Sequence, residues 1–512
     1  MTRVGTAATS RARARPLAAV APVLVLLTAW SSLAVGAGVL LALLAPPAGA
    51  LGWGALVVTA ALVGLALLAG LRQLLLLIAA QVHRAPPAPR LLPAAGARVA
   101  LLYPTADDFR ADVIQRSARQ THPHTRTVVL DDSSLPETRE RVGALARSGG
   151  IEVHRRGDRT GAKAGNLNAW LDAHGDEVDY VVVLDADQEV GDGFVSGALA
   201  RFAAHPEAAV VQGRIRSRSG ETSFARDFSG LFTRHADTKL AARSALGVVD
   251  FCGRGAMLDV AALRDAGGFP EVVMEDTALT VELERHGQAV VAAPELVSVE
   301  DTPVDHTAFA VQFGKFAEGA VQLLARSSRS MFDTRLRVRR RVDVALELLV
   351  PVLAAVVPLA VFGYSVVGAA TGVEAFPWQL GLPLAALSLV PLLPEALHRA
   401  RTSGIIRGLA FTARASMLYA SIGIVAARAV VAVAISGRAR FRITPKERAE
   451  RRASVVVRRR APELIAAGVA IAVAVLSAGR PELAAPFIVI AATAIAFGWR
   501  DAVGEPAGEP VR

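Results

Sequence analysis

The chain has 512 residues, its 56 Lys and Arg against 46 Asp and Glu leave a net charge of +10, and 53% of residues are hydrophobic while 20% are charged. That excludes an ordinary soluble protein and a wholly disordered chain, both of which are more polar. The single cysteine, Cys252, excludes an intramolecular disulfide framework and any multi-cysteine zinc or iron–sulfur site.

Residues 17–45 carry no charge and, at about 1.5 Å per residue, exceed the roughly 30 Å hydrocarbon core of a bilayer. Arg11, Arg13 and Arg15 precede them, but a signal peptide has a shorter apolar region, and a second uncharged run, 51–71, follows Pro46-Pro47 at once. A transmembrane hairpin is therefore expected over 1–82, with the N-terminus and everything after Arg72 in the cytoplasm by the positive-inside rule. Residues 83–341 alternate short apolar runs with charged helical stretches, as in a cytoplasmic α/β domain. A second hairpin is expected over 342–398, from runs 348–373 and 375–394, and a third over 464–512, from 464–479 and 483–499. In 405–435, Arg407, Arg414 and Arg428 fall at multiples of seven with Ser421 on the same row, so one polar stripe follows the helix. Region 399–463 thus reads as an interfacial or re-entrant helix plus a basic loop; the alternative is a bundled helix whose arginines line a cavity. Six crossings of the plasma membrane follow, with both termini cytoplasmic.

Within 83–341, runs 98–103, 127–130 and 180–184 read as strands separated by helical stretches, which implies a parallel sheet covered by helices. Ligands in such sheets sit beyond the carboxyl ends of strands, where Asp131-Asp132 and Asp185-Ala186-Asp187 fall. Asp185 and Asp187 project to one side when extended and suit a hard cation, Mg2+ or Mn2+, shared with a diphosphate. D-x-D by itself is also common in surface loops.

In chain order come VVLDDSS at 128–134, GAKAGNLN at 161–168, VVVLDADQE at 181–189, FCGRGAML at 251–258, MED at 274–276, QFGKF at 312–316 and FRITPK at 441–446. This succession resembles the processive membrane branch of glycosyltransferase family 2, with the bacterial cellulose synthases as best-known members and hyaluronan and chitin synthases as relatives. The resemblance implies a GT-A-type nucleotide-sugar domain and an inverting mechanism. It places Asp131, Asp132 and Lys163 at the donor, Asp185 and Asp187 on the metal–diphosphate, and Asp276 as general base beside Glu275. It puts Phe251, Cys252, Gly253, Gln312, Lys315 and Phe316 around the acceptor, and Phe441, Thr444 and Lys446 in a gating loop. For EDTALTVELERHG the alternative role of Glu275-Asp276 is a helix N-terminal cap. Gating is expected of the six-residue core, 441–446, and contact with anionic lipid of the arginines around 448–460.

Relatives carry Q-x-x-R-W where this chain has Gln312, Lys315 and Phe316, which removes a planar guanidinium and an indole from the acceptor platform. Met274 replaces the threonine of T-E-D, and no aromatic follows the early Pro104-Thr105. With 13 residues after Trp499 and a 436–463 loop of 28, no appended cyclic-di-GMP-binding barrel is expected. The expected partners are a UDP-sugar, a glycan or glycolipid acceptor and membrane lipids, with no nucleic acid, and the sequence leaves open whether an accessory export protein joins them. The expected activity is hexosyl transfer from UDP-glucose to a β-linked polysaccharide; single transfer to a lipid carrier, and an inert scaffold or export channel keeping the fold, are the alternatives.

Overall fold

Two long apolar runs around Pro46-Pro47 form α1 (Pro16–Leu44) and α2 (Gly49–Val82), which pack along one another. The computed structural model describes residues 16–44, 46–47, 49–85, 87–89, 96–147, 149–218, 220, 222–326, 328–331, 333–371, 378–439, 458, 460–476 and 485–503. Helix α2 does not stop at its first charge. Arg72 lies buried within it, where Asp343 and Glu347 bond its guanidinium at 3.0 and 2.6 Å. The residue read from sequence as a flank is thus an internal anchor, because an intramembrane-type helix tolerates a charge that is paired inside the protein.

The α/β domain begins with β1 (Val99–Thr105), α3 (Ala111–Ser117), β2 (Thr125–Asp131), α4 (Pro136–Arg147), β3 (Ile151–His154), α5 (Ala162–His174) and β4 (Tyr180–Val183). Successive residues of β1 feed two cores: Ala100 and Leu102 join Trp170 and Val181 on one face, while Leu101 and Tyr103 join Val182 and Phe202 on the other. Burial on both faces explains why these strands read as unbroken apolar runs. The domain continues through β5 (Glu189–Val190), α6 (Phe194–Ala204), β6 (Ala208–Ser217), α7 (Ser223–Leu246), β7 (Ala256–Asp259), α8 (Val260–Asp265), α9 (Glu275–Arg285) and β8 (Ala289–Glu300).

Sheet order is β3-β2-β1-β4-β7-β6-β8-β5. The expected parallel arrangement holds for β3-β2-β1-β4 and again for β6-β8, while β7 runs antiparallel to both β4 and β6 and β5 runs antiparallel to β8. Between β6 and β7, helix α7 packs on both β6 and α2, and the chain returns to the sheet through the 247–255 loop.

Beyond the sheet come α10 (His306–Arg326), α11 (Ser328–Met331), α12 (Val338–Thr371), α13 (Trp378–Ser388), α14 (Leu393–Ser403), α15 (Ile405–Ser421), α16 (Gly423–Ser436), α17 (Ala461–Leu476) and α18 (Ala485–Val503). Among the described residues, four stretches are long and apolar enough to cross a membrane: Ala21–Leu44, Gly49–Val82, Gln379–Ser403 and Ile405–Ser436. Helix α12 is 34 residues long and uncharged from Leu348 onward. Both α12 and α13 pack on α2, and α17 packs on α18. The stretch read as an interfacial helix is broken at Ile422; its first half, α15, lies on α14 and α18, and its second half, α16, lies on α10 and α12.

Close packing of α2 on α13 depends on Gly70, where an added Cβ would stand 2.7 Å from the Leu387 Cβ. Gly70→Val is expected to lower stability by about 1–3 kcal/mol, the usual cost of overpacking. Thermal melting in detergent checks this; an unchanged midpoint would contradict the packing of these two helices.

Candidate active site

The carboxyl ends of β1, β2 and β4 open into a cavity of about 430 Å³. Asp132, Lys163, Asp185, Asp187, Cys252, Gly253, Glu275, Asp276, Gln312, Lys315 and Phe316 all line it, so motifs spread over nearly 200 residues meet in one place. Each arrives for a local reason. The loop after β4 carries Asp185 and Asp187, and Asp187 is almost wholly buried, accepting the Asp301 amide at 3.1 Å. Lys163 sits in the first turn of α5, which Gly161 opens at φ 75°.

Lys163 Nζ is the centre of the cavity. It donates to Asp185 Oδ1 at 2.5 Å and to the Gly253 carbonyl at 2.9 Å, and lies 3.9 Å from Glu275 Oε1. Burial works against its charge, but Asp185 and Glu275 outweigh burial and hold its pKa above the ordinary lysine value. Burial pushes Glu275 up to about 7, with Asp276 adding to that push and Lys163 opposing it. Burial also lowers Lys315 and raises the Cys252 thiol, so Cys252 is no thiolate nucleophile at neutral pH.

Glu275 and Asp276 occupy the first turn of α9, while Met274 holds the cap position and contributes no side-chain bond. Asp276 is therefore not the cap. Its Oδ1 accepts the neighbouring Thr277 amide at 2.7 Å. Gly253, at φ 76°, brings the 251–253 loop against it: a Cβ there would stand 3.4 Å from the Asp276 Cβ. The same loop is fixed residue by residue, since the Phe251 amide donates to Thr280 Oγ1 at 3.1 Å and the Cys252 amide to Gln212 Oε1 at 2.8 Å.

Two expected site residues stand back from the cavity. Asp131 is buried, accepting Arg155 Nε at 2.7 Å and the Ser133 amide at 3.0 Å. Phe251 is a core residue packed against Phe269. Phe441, Thr444 and Lys446 lie outside the described residues. On α10, Lys315 Nζ lies 5.8 Å from the centre of the Phe316 ring, and Phe316 is 42% exposed.

Residues that the sequence reading missed complete the lining: Asp107, Arg159, Arg254, Glu300 and Asp301. Arg254 bonds Glu300 through Nε and, at 2.6 Å, through Nη2, and approaches Asp185 Oδ2 to 3.3 Å. Its place directly after Gly253, and the paired acids at the end of β8, were the available signals. Asp107 accepts the Ser134 and Leu135 amides at 3.0 and 2.9 Å, holding the β2 loop over the cavity.

Oxygen donors at Asp185 and Asp187 match a hard divalent cation. Among the described residues no group of three or more His, Cys, Asp or Glu is arranged around one point.

Residues 180–395 match the sequence profile described as glycosyl transferase family group 2. That match runs from β4 into α14 and takes in Asp185, Asp187, Gly253, Glu275, Asp276, Gln312 and Lys315 of the cavity. Glucans biosynthesis glucosyltransferase H of Caulobacter vibrioides is 29% identical over 260 residues, covering 45% of this chain and 39% of that protein. Probable glucomannan 4-beta-mannosyltransferase 1 of Arabidopsis thaliana is 27% identical over 243 residues, covering 43% of this chain and 42% of that protein. The chain thus spans about two fifths of the length of these curated relatives. Among solved structures, the mannosyltransferase PcManGT from Pyrobaculum calidifontis, in complex with GDP-Man and Mn2+, aligns with a TM-score of 0.47 and 21% identity over 74% of this chain and 97% of that one.

The raised Glu275 carries a pH signature. Its ordinary value is 4.5 and its folded value about 7, so between them the native state binds more protons than the unfolded state. That contribution to stability is present at low pH and lost as pH rises through about 7. Glu275→Gln should therefore gain thermal stability relative to wild type as pH is raised from about 5 to about 8. Parallel stability–pH curves for the two proteins would contradict the assignment.

Proposed function

We propose that this chain is an inverting membrane glycosyltransferase that moves a hexosyl unit from a UDP-sugar, UDP-glucose first among donors, onto a growing β-linked polysaccharide, with export through its own helices. The observation that carries the reading is the meeting of two acidic sites in one cavity: Asp185 and Asp187 beyond β4, and Glu275 and Asp276 on α9, with Lys163 between them. Displacement at an anomeric carbon needs both, one beside the leaving diphosphate and one to take the acceptor's proton.

Asp185 and Asp187 would hold Mg2+ or Mn2+, which supplies charge neutralisation for the departing diphosphate when bound. Lys163 adds a fixed positive charge beside Asp185, and Asp276 accepts the proton from the acceptor hydroxyl. Burial raises the Glu275 carboxyl to about 7, which reduces the negative charge it places next to that base. Relatives named for glucan and glucomannan synthesis support a polysaccharide product. The exposed Phe316 beside Lys315 favours a second reading, single transfer to a glycolipid, because this platform lacks the guanidinium–indole pair of polymer-holding relatives. The four apolar stretches and the basic segments 335–341, 399–407 and 436–463 support a plasma-membrane enzyme with its catalytic domain and both termini cytoplasmic.

Chelation by EDTA is expected to abolish transfer, and added magnesium or manganese to restore it; full activity without a divalent ion removes the role given to Asp185 and Asp187. Asp276→Asn keeps the shape of the first helical turn and removes the base, and should cut transfer by about 10²–10⁴ while UDP binding stays near normal. A variant that keeps more than about a tenth of wild-type transfer would show that the base lies elsewhere.

A further inference from the structure

Outside the cavity, Arg340 on α12 grips two catalytic elements at once. Only 1% exposed, it donates from Nη1 to Asp250 Oδ1 at 2.5 Å and from Nη2 to the Val249 carbonyl at 2.6 Å. Its Nε and Nη2 reach Glu284 Oε1 at 2.9 and 2.5 Å. Val249 and Asp250 lead directly into Phe251-Cys252-Gly253, and Glu284 lies on α9, the helix whose first turn carries Glu275 and Asp276. One planar fork therefore spans the acceptor loop and the helix of the proposed base.

The grip continues into the membrane-side helices. Arg243 of α7 also pairs with Asp250, and reaches Asp343 at 2.8 Å and Glu347 at 3.3 Å. Those two acids are the ones that hold Arg72 of α2. Buried ion pairs of this kind are poor stabilisers, because desolvation consumes most of their Coulomb energy and apolar residues of equal volume do as well. Arg340 nonetheless joins the two segments that carry Gly253 and Asp276 into contact.

We propose that Arg340 is a positioning residue that sets the acceptor loop against α9 and locks that setting to α2 and α12. The proposal rests on the transferase reading above, and its test separates the two. Arg340→Lys keeps the charge and loses the fork; Glu284→Gln keeps the shape and loses one charged partner. Each variant is purified and compared with wild type for UDP affinity in a calorimetric titration with Mn2+, for sugar transfer, and for hydrolysis of the donor by water.

Transfer is expected to fall on the order of 10²-fold, as for a displacement of about 1 Å at a reacting pair, with UDP affinity within about threefold of wild type. Donor hydrolysis should fall far less, because water needs no oriented acceptor, so the ratio of transfer to hydrolysis shifts toward hydrolysis. Equal losses in transfer, hydrolysis and UDP affinity would make the network merely structural and overturn the proposal, and so would unchanged transfer in both variants. If Arg340→Lys does not extract as a folded protein, Glu284→Gln alone decides by the same criteria. Wild-type protein that cleaves no UDP-sugar would overturn the transferase reading and this inference with it, whereas active wild type with an unshifted ratio in the variants overturns this inference alone.

Discussion

A single buried ammonium, Lys163 Nζ, bonds Asp185 at 2.5 Å and the Gly253 carbonyl at 2.9 Å and faces Glu275 at 3.9 Å. An ammonium has three donors and no acceptor, so it is satisfied only where several acceptors converge. Here they come from the end of β4, the loop before β7 and the first turn of α9. Removing that ammonium would take from Asp185 and the Gly253 carbonyl the donor they share, and losing one partner of such a pair costs more than the intact pair contributes. Arg254 repeats the device on the other side of Asp185, tying it to Glu300. Nine acids against four basic residues line the cavity, an excess of negative charge that a divalent cation would offset.

The helical bundle shapes this cavity as well as supporting it. Helix α10 carries Gln312, Lys315 and Phe316 to the rim, while its Gly319 leaves room for Met274, whose Cγ would stand 2.7 Å from a Cβ there. Gln322, one turn on, accepts the Val273 amide at 2.9 Å. The loop that launches α9 therefore rests on a helix that is itself packed against α12 and α16. Substituting methionine for threonine at position 274 fits this packing, since an unbranched thioether fills an irregular gap beside a glycine.

Much of this was legible in the chain. Apolar runs at 98–103, 127–130 and 180–184 emerged as β1, β2 and β4 because strands buried on both faces leave continuous hydrophobic segments. Order among motifs, rather than any one of them, brought Lys163, Asp185, Gly253 and Asp276 to a common site. What stayed hidden was long-range: that β7 runs antiparallel, that Asp131 turns to Arg155, and that Arg72 pairs with Asp343 and Glu347. No local pattern encodes the partner of a buried charge, because the pairing depends on which distant helices meet.

The central claim is that this cavity cleaves a nucleotide sugar and passes the sugar on with inversion. Nucleoside diphosphate release by the purified protein, measured over a panel of UDP- and GDP-sugars and followed by assignment of the anomeric configuration of the product, tests it most directly. The account predicts turnover of a UDP-hexose with an α-linked donor giving a β-linked product. Failure to cleave any sugar on the panel, or an α-linked product from an α-linked donor, would contradict it.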